Sequence, residues 1–268
     1  MAFNISVIKE CYWLDLAVTP WSWEPNVVND MLDYKRNFAL LYSAKTNELI
    51  TVGGTYAHYY YYYYEEWRTP KVQVYDFKDQ KWYDNLYPDF PEMHNHAQGT
   101  VTLVDDQYIY VISENKIHFS DVITKSPWKS VSLGDINKKS TGASIFVPNI
   151  YGSSSILSLG GKIGQAENSK EVELFTLDAS DYEKLEIQRL NDMDFELLRG
   201  QAAQLGDDIV FIRTRKSSEA EDIYVWDYAN AKLRPVGMLQ KRRYFATGLP
   251  MPGSLFPECK SKSNGFLS

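Results

Sequence analysis

Short apolar and aromatic runs alternate with polar clusters along this chain, and their lengths are those of strands rather than helices. Phe38 to Tyr42, Leu49 to Val52, Tyr108 to Ser113, Ile156 to Leu159, Gly200 to Leu205, Ile209 to Arg213 and Tyr244 to Leu249 each read as one strand. No segment offers a long amphipathic helical stripe. Residues 26–36 and 180–200 hold a helical turn at most.

The strands belong to five copies of one phrase. The clearest copy is Tyr75-Asp76, then Trp82, then Met93-His94-Asn95-His96, then the strand Gly99 to Leu103. Leu14-Asp15 precedes Trp21, then Met31-Leu32, Lys35-Arg36 and the strand from Phe38. Phe119-Ser120-Asp121 precedes Trp128, and this copy lacks a Met-Arg step. Leu177-Asp178 precedes Leu185, Met193 and Arg199. Trp226-Asp227 precedes Leu233, Met238-Leu239 and Arg242-Arg243. The interval from Asp to the large residue is 6 in the first, second and fifth copies. A repeat of about 50 residues predicts the blades of a β-propeller.

A second strand lies between copies, and twice it ends in paired glycines, Gly53-Gly54 and Gly160-Gly161. Paired glycines permit positive φ and close backbone approach. Diglycine, Tyr-Asp, then Trp and a Met-Arg stretch together resemble the kelch family. The match is strongest over residues 48–104, with Gly53, Gly54, Tyr75, Asp76 and Trp82. Elsewhere it is degenerate. The copy with Gly160 and Gly161 has no Trp, the copy with Trp128 has lost its diglycine, and the last keeps Trp226-Asp227 alone. The resemblance implies a β-propeller used for protein recognition, and it transfers no catalytic or binding residue. Trp82 and Trp128 are expected to be buried between blades.

Blade number follows from closure. The N-terminal stretch offers outer strands at about 3–8, 11–16 and 19–23, and the C-terminal end offers an inner strand, Tyr244 to Leu249. Joining them completes one blade and removes an open sheet edge. The expectation is an all-β propeller of four-stranded antiparallel blades, five in number, with six as the alternative. The propeller spans 1–257, and the polar segment 258–268 is expected to be disordered.

Charge and composition narrow the function. A formal net charge of −7 opposes binding to nucleic acid, which favours a basic face. Lys241-Arg242-Arg243 and Arg213-Thr214-Arg215-Lys216 are local exceptions, read as solvated turns. No apolar run reaches the ~20 residues of a membrane span. The first residues lack the basic start and apolar core of a signal peptide, so a cytoplasmic setting is expected, although a mature secreted chain would look the same. Cys11 and Cys259 lie at opposite ends of the chain. Closure of the ring would bring them near each other, but a reducing compartment favours free thiols.

Candidate chemistry is thin. His94 and His96 would share a strand face, but two ligands do not make a metal site, and His94 occupies the basic slot of the repeat. Gly160-Gly161-Lys162-Ile163-Gly164 has the look of a phosphate loop without the helix that should follow. Asp105-Asp106 and Asp207-Asp208 read as hairpin turns in which Asp bonds its own backbone. Some kelch-like propellers are oxidases with copper held by Tyr, His and Cys, and that set cannot be assembled from a chain with both Cys at its ends. No catalytic residue, metal or cofactor is expected.

One segment does stand out. Tyr59, Tyr60, Tyr61, Tyr62, Tyr63 and Tyr64 run consecutively, followed by Glu65-Glu66-Trp67. Alternate rings of a strand point to opposite faces, so six cannot all enter a core. From Gly54 to Lys71 the connection holds 16 residues, against 9 from Gly161 to Glu171. Tyrosine combines large area, a polar tip and few rotors, which suits interfaces. Tyr59 to Tyr64 and Trp67 are therefore the expected contact arm of a noncatalytic scaffold that binds a protein partner through the loops of one face. The alternative is an enzyme or carbohydrate-binding propeller with its site at the mouth of the central channel.

Overall fold

Burial on both sides of a sheet selects for near-continuous apolar strands, and that requirement organises this molecule. The computed structural model describes residues 12–14, 23–25, 35–36, 38–60, 63–92, 100–113, 115–134, 139–140, 142–148, 153–163, 167–178, 181–197, 200–205, 208–213 and 221–239. Among these, every regular element is a strand. A short antiparallel pair, β1 (Tyr12–Leu14) and β2 (Trp23–Pro25), comes first.

The first described blade follows β3 (Lys35–Arg36) and consists of β4 (Ala39–Ser43), β5 (Glu48–Val52), β8 (Val72–Asp76) and β9 (Lys81–Tyr83) in antiparallel order. Between its second and third strands, a hairpin of β6 (Thr55–Tyr60) and β7 (Tyr63–Arg68) leaves the blade and pairs with β3. The second blade is β10 (Val101–Val104), β11 (Tyr108–Ser113), β12 (Lys116–Asp121) and β13 (Lys129–Ser132). The third repeats the plan of the first. After β14 (Lys139–Ser140) come β15 (Ala143–Val147) and β16 (Ser155–Leu159), then a short hairpin of β17 (Lys162–Ile163) and β18 (Glu167–Asn168), then β19 (Val172–Asp178) and β20 (Asp181–Arg189). The fourth is β21 (Gly200–Leu205), β22 (Asp208–Arg213), β23 (Glu221–Asp227) and β24 (Lys232–Leu239). The first strands β4, β10, β15 and β21 lie side by side.

Three apolar layers fill the spaces between blades. Ala39, Leu41, Ile50, Val52, Val72 and Val74 meet Val101, Ile109 and Val111. Tyr110, Ile112 and Phe119, on the other side of the second blade, meet Ile156, Phe175 and Leu177. Leu157, Leu159 and Leu174 then meet Phe211, Tyr224 and Trp226. The alternation along β11 and β16 thus sends successive side chains into two different layers. Outer strands face one neighbour only, and β13 is largely exposed.

The Asp of the repeated phrase has a defined task. Asp76 Oδ1 accepts the N–H groups of Lys78 and Asp79 at 2.7 and 3.2 Å. Asp121 does the same for Ile123 and Thr124, and Asp227 for Ala229 and Asn230. Four residues beyond each Asp, the backbone turns left-handed, with φ of 52° at Gln80, 52° at Lys125 and 46° at Ala231. This tight turn sets the interval to the large residue, because Tyr75 pairs with Trp82 and Trp226 with Leu233 across the hairpin. In the third blade the register shifts at Leu177/Asp178, and Leu177 pairs with Leu185.

Asp105 and Asp106 lie in the hairpin turn that the sequence predicts. Both sit in a turn with φ of 50° and 53°. The Asp106 carboxylate, however, accepts N–H groups from the neighbouring blade, Ala44 at 2.9 Å and Lys45 at 2.6 Å.

Candidate functional site

In this antiparallel order, the connections from second to third strand and from blade to blade share one end of the molecule. The diglycine elements lie at that end. Gly53 and Gly54 have φ of 62° and 101°, and Gly160 and Gly161 have 60° and 103°. The surrounding hydrogen bonds repeat as well. Gly53 N–H donates to Lys71 O and Gly160 N–H to Glu171 O, at 3.2 and 2.8 Å. Thr69 Oγ1 accepts from Lys71 N–H, and Ser169 Oγ from Glu171 N–H. A Cβ on Gly160 would lie 2.4 Å from Leu197 O, so the connection from blade to blade leaves no room for a side chain there. Lys71 and Glu171 are therefore equivalent anchors. The seven extra residues of the first connection form the longer hairpin β6–β7.

Within that hairpin the register is regular. Tyr56 pairs with Trp67, His58 with Glu65, Tyr59 with Tyr64, and Tyr60 with Tyr63. Only the root pairs with β3, Lys35 opposite Tyr56 and Arg36 opposite Thr55. Lys35 is buried, places its ammonium 5.9 Å from the Tyr56 ring centre, and donates to Lys71 O at 3.2 Å. Trp67 is 44% exposed, the largest side chain among the exposed apolar residues described. Tyr61 and Tyr62 lie outside the described residues, as do the side chains of Tyr59, Tyr60, Tyr63 and Tyr64.

A polar cluster occupies the same end, between the first and second blades. His118 of β12 is 1% exposed. Its Nδ1 lies 2.8 Å from the hydroxyl of exposed Ser130 on β13. Its Nε2 lies 3.2 Å from Glu92 Oε1, a contact close in distance but not aligned as a hydrogen bond. Ser113 donates to Glu92 Oε2 at 2.7 Å, and the Lys116 ammonium stands 3.5 Å from Oε1. Phe90 sets its ring edge-on to the imidazole at 5.0 Å. Sequence reasoning missed this cluster. Its members are separated along the chain, and only the pairing of β12 with β13 and the path of the preceding connection bring them together.

The structure places the remaining candidates as follows. Trp82 is buried at 3% exposure against Tyr75, on the face of the first blade turned away from the second. Trp226 is buried in the layer shared with the third blade. Trp128 is only half-buried, because it lies just before β13 and spends its indole N–H on Pro88 O at 3.1 Å while its ring meets Phe90. Arg213 covers the Phe195 ring at 4.3 Å and donates to Glu196 O. Lys162 and Ile163 form a strand, so the glycines before them do not open a phosphate-binding helix. His94, His96, Cys11, Cys259 and Lys241 to Arg243 lie outside the described residues. Among the described residues no three His, Cys, Asp or Glu side chains gather as metal ligands. On the outer wall, Val131, Leu133, Leu177, Leu185 and Ile187 floor a groove of about 680 Å³ between the second and third blades.

The chain is thus an all-β propeller of four-stranded antiparallel blades, with four blades in the described part. Its fold is similar to the solved structure of YjhT, a kelch-repeat protein, with a TM-score of 0.62 and 12% sequence identity over 91% of this chain and 82% of that one. No protein-family model matches the sequence. Comparison with curated proteins gives no match either.

Proposed function

We propose that this protein is a kelch-like interaction scaffold that binds a protein partner through the loops of one propeller face, with the β6–β7 hairpin as the main contact. The observation that carries this reading is the unequal length of two otherwise matching diglycine connections. The fold needs only the short version, as β17–β18 demonstrates in the third blade. An extension the fold does not require, built of tyrosines and carrying exposed Trp67 at its root, is where a propeller places function. A cytoplasmic setting goes with this reading.

A fifth blade completed by both chain ends belongs to the same proposal. Leu177 and Trp226, in the slot after the third strand's apolar run, face the preceding blade. By that rule Tyr75 and Trp82 face a blade that precedes the first described one, and both are buried. Deleting residues 1–24 should expose a strand edge and cause aggregation. An unchanged, monomeric protein would remove the fifth blade from the proposal.

The binding test replaces residues 57–66 with a short Gly-Asn turn. The expected result is an unchanged melting temperature and loss of the partners recovered by affinity capture from the native source. Global unfolding, or retention of every captured partner, overturns the role of the hairpin.

A further inference from the structure

We propose that Ser130 is an activated nucleophile that accepts an acyl or phosphoryl group from a small activated ester, with His118 as its general base. This goes beyond the binding reading and does not depend on it. The chain of contacts runs Ser130 Oγ to His118 Nδ1 at 2.8 Å, then His118 Nε2 to Glu92 Oε1 at 3.2 Å. A nucleophile within hydrogen-bond reach of a base, itself oriented by a third group, is the arrangement that activates serine.

Glu92 is the group that faces the far side of the ring. Ser113 donates to one of its oxygens, and the Lys116 ammonium stands near the other. In the tautomer this role requires, the ring proton sits on Nε2, the nitrogen beside Glu92, and the Nδ1 lone pair is directed at Ser130. Burial of His118 and the edge of Phe90 hold the ring in place, whereas Ser130 itself is exposed to reagent. Glu92 acts through His118 and is a positioning residue.

In the step proposed, Ser130 Oγ forms a bond to the electrophilic carbon or phosphorus, the bond to the leaving group breaks, and the hydroxyl proton passes to His118 Nδ1. No oxidant, metal or further reactant is required.

The same strand supplies an internal control. Ser132 is also exposed on β13, and its hydroxyl faces the Gly134 N–H at 3.3 Å rather than a histidine. The full chain is treated with a fluorophosphonate and digested, and modified serines are located by mass spectrometry. Ser130 should carry the adduct with loss of fluoride and Ser132 should not. His118→Gln should slow labelling of Ser130 about a hundredfold, the scale of general-base assistance. Glu92→Gln should slow labelling by a smaller factor at an unchanged melting temperature. Equal labelling of the two serines in the native protein overturns the proposal, and so does an unchanged rate in folded His118→Gln. Should His118→Gln fail to fold, the comparison of Ser130 with Ser132 in the native chain still decides.

Discussion

Lys125, in the turn between the third and fourth strands of the second blade, places its ammonium 2.6 Å from the buried carboxylate of Glu48 in the first blade. Tyr87 closes the same contact. Its hydroxyl donates to Val122 O at 2.9 Å and lies 3.4 Å from Glu48 Oε2, and its ring sits 5.1 Å under the Lys125 ammonium. Burial, and then the Glu48 charge, push the Tyr87 phenol far above its ordinary range. Lys125→Met should leave Glu48 buried without its cation. Breaking a buried pair costs about 3–5 kcal/mol, and the partial exposure of Lys125 reduces this to about 2–3 kcal/mol. The double variant with Glu48→Met should recover part of the loss. Denaturant titration of the four proteins of this cycle measures the coupling.

Trp82→Ala removes a buried indole packed on Tyr75. The expected loss is about 3–5 kcal/mol. A loss under about 1 kcal/mol in urea titration would place the indole in solvent and break the register that pairs it with Tyr75.

Glycine should help at one left-handed position, and its removal should harm at another. Gln80 is exposed with φ of 52°. Gln80→Gly relieves the left-handed penalty and should raise stability by about 0.5–1 kcal/mol after its entropy cost. Gly160→Ala would push a Cβ into Leu197 O and should cost at least about 2 kcal/mol. Thermal melts of both variants check the pair of signs.

Acid should loosen the Asp turns. Burial pushes the Asp121 carboxyl up, but hydrogen bonds from Gln107 and the N–H groups of Thr124 and Ile123 outweigh it and hold the group below its ordinary value. The Asn230 side chain, then the N–H groups of Asn230 and Ala229, hold Asp227 low as well. A carboxyl lowered by folding contributes stability that is present above its unfolded value and lost as pH falls through the folded one. Stability should therefore fall below about pH 4. Asp121→Asn keeps an acceptor oxygen without the titration, so its urea midpoint should fall less between pH 5 and pH 3 than that of the native chain.

What the sequence disclosed follows from what is local. Each Asp turn spans four or five residues, so its spacing survives in the chain and the strand pairs could be read from it. The diglycines work in the same way, because positive φ is a property of the residue. Contacts between blades leave no such trace. Asp106 looked like a turn residue and is one, yet its carboxylate binds the amides of Ala44 and Lys45, more than 60 positions away. The meeting of Glu92, His118 and Ser130 depends on the pairing of β12 with β13 and on the path of the connection that precedes the second blade. The repeat places Trp128 against the layer between the first and second blades, where it packs, but does not predict its half-burial beside Pro88 and Phe90.

Among the described residues, hairpins on the first and third blades make the end of the propeller uneven. The second blade joins its two middle strands across only Glu114 and Asn115, while the blades on either side raise ribbons of unequal height. The ribbons beside the second blade have strands of six residues on one side and of two residues on the other. A body settling onto such a rim would have one inclination rather than free rotation about the propeller axis, much as a key with unequal teeth enters a lock one way round.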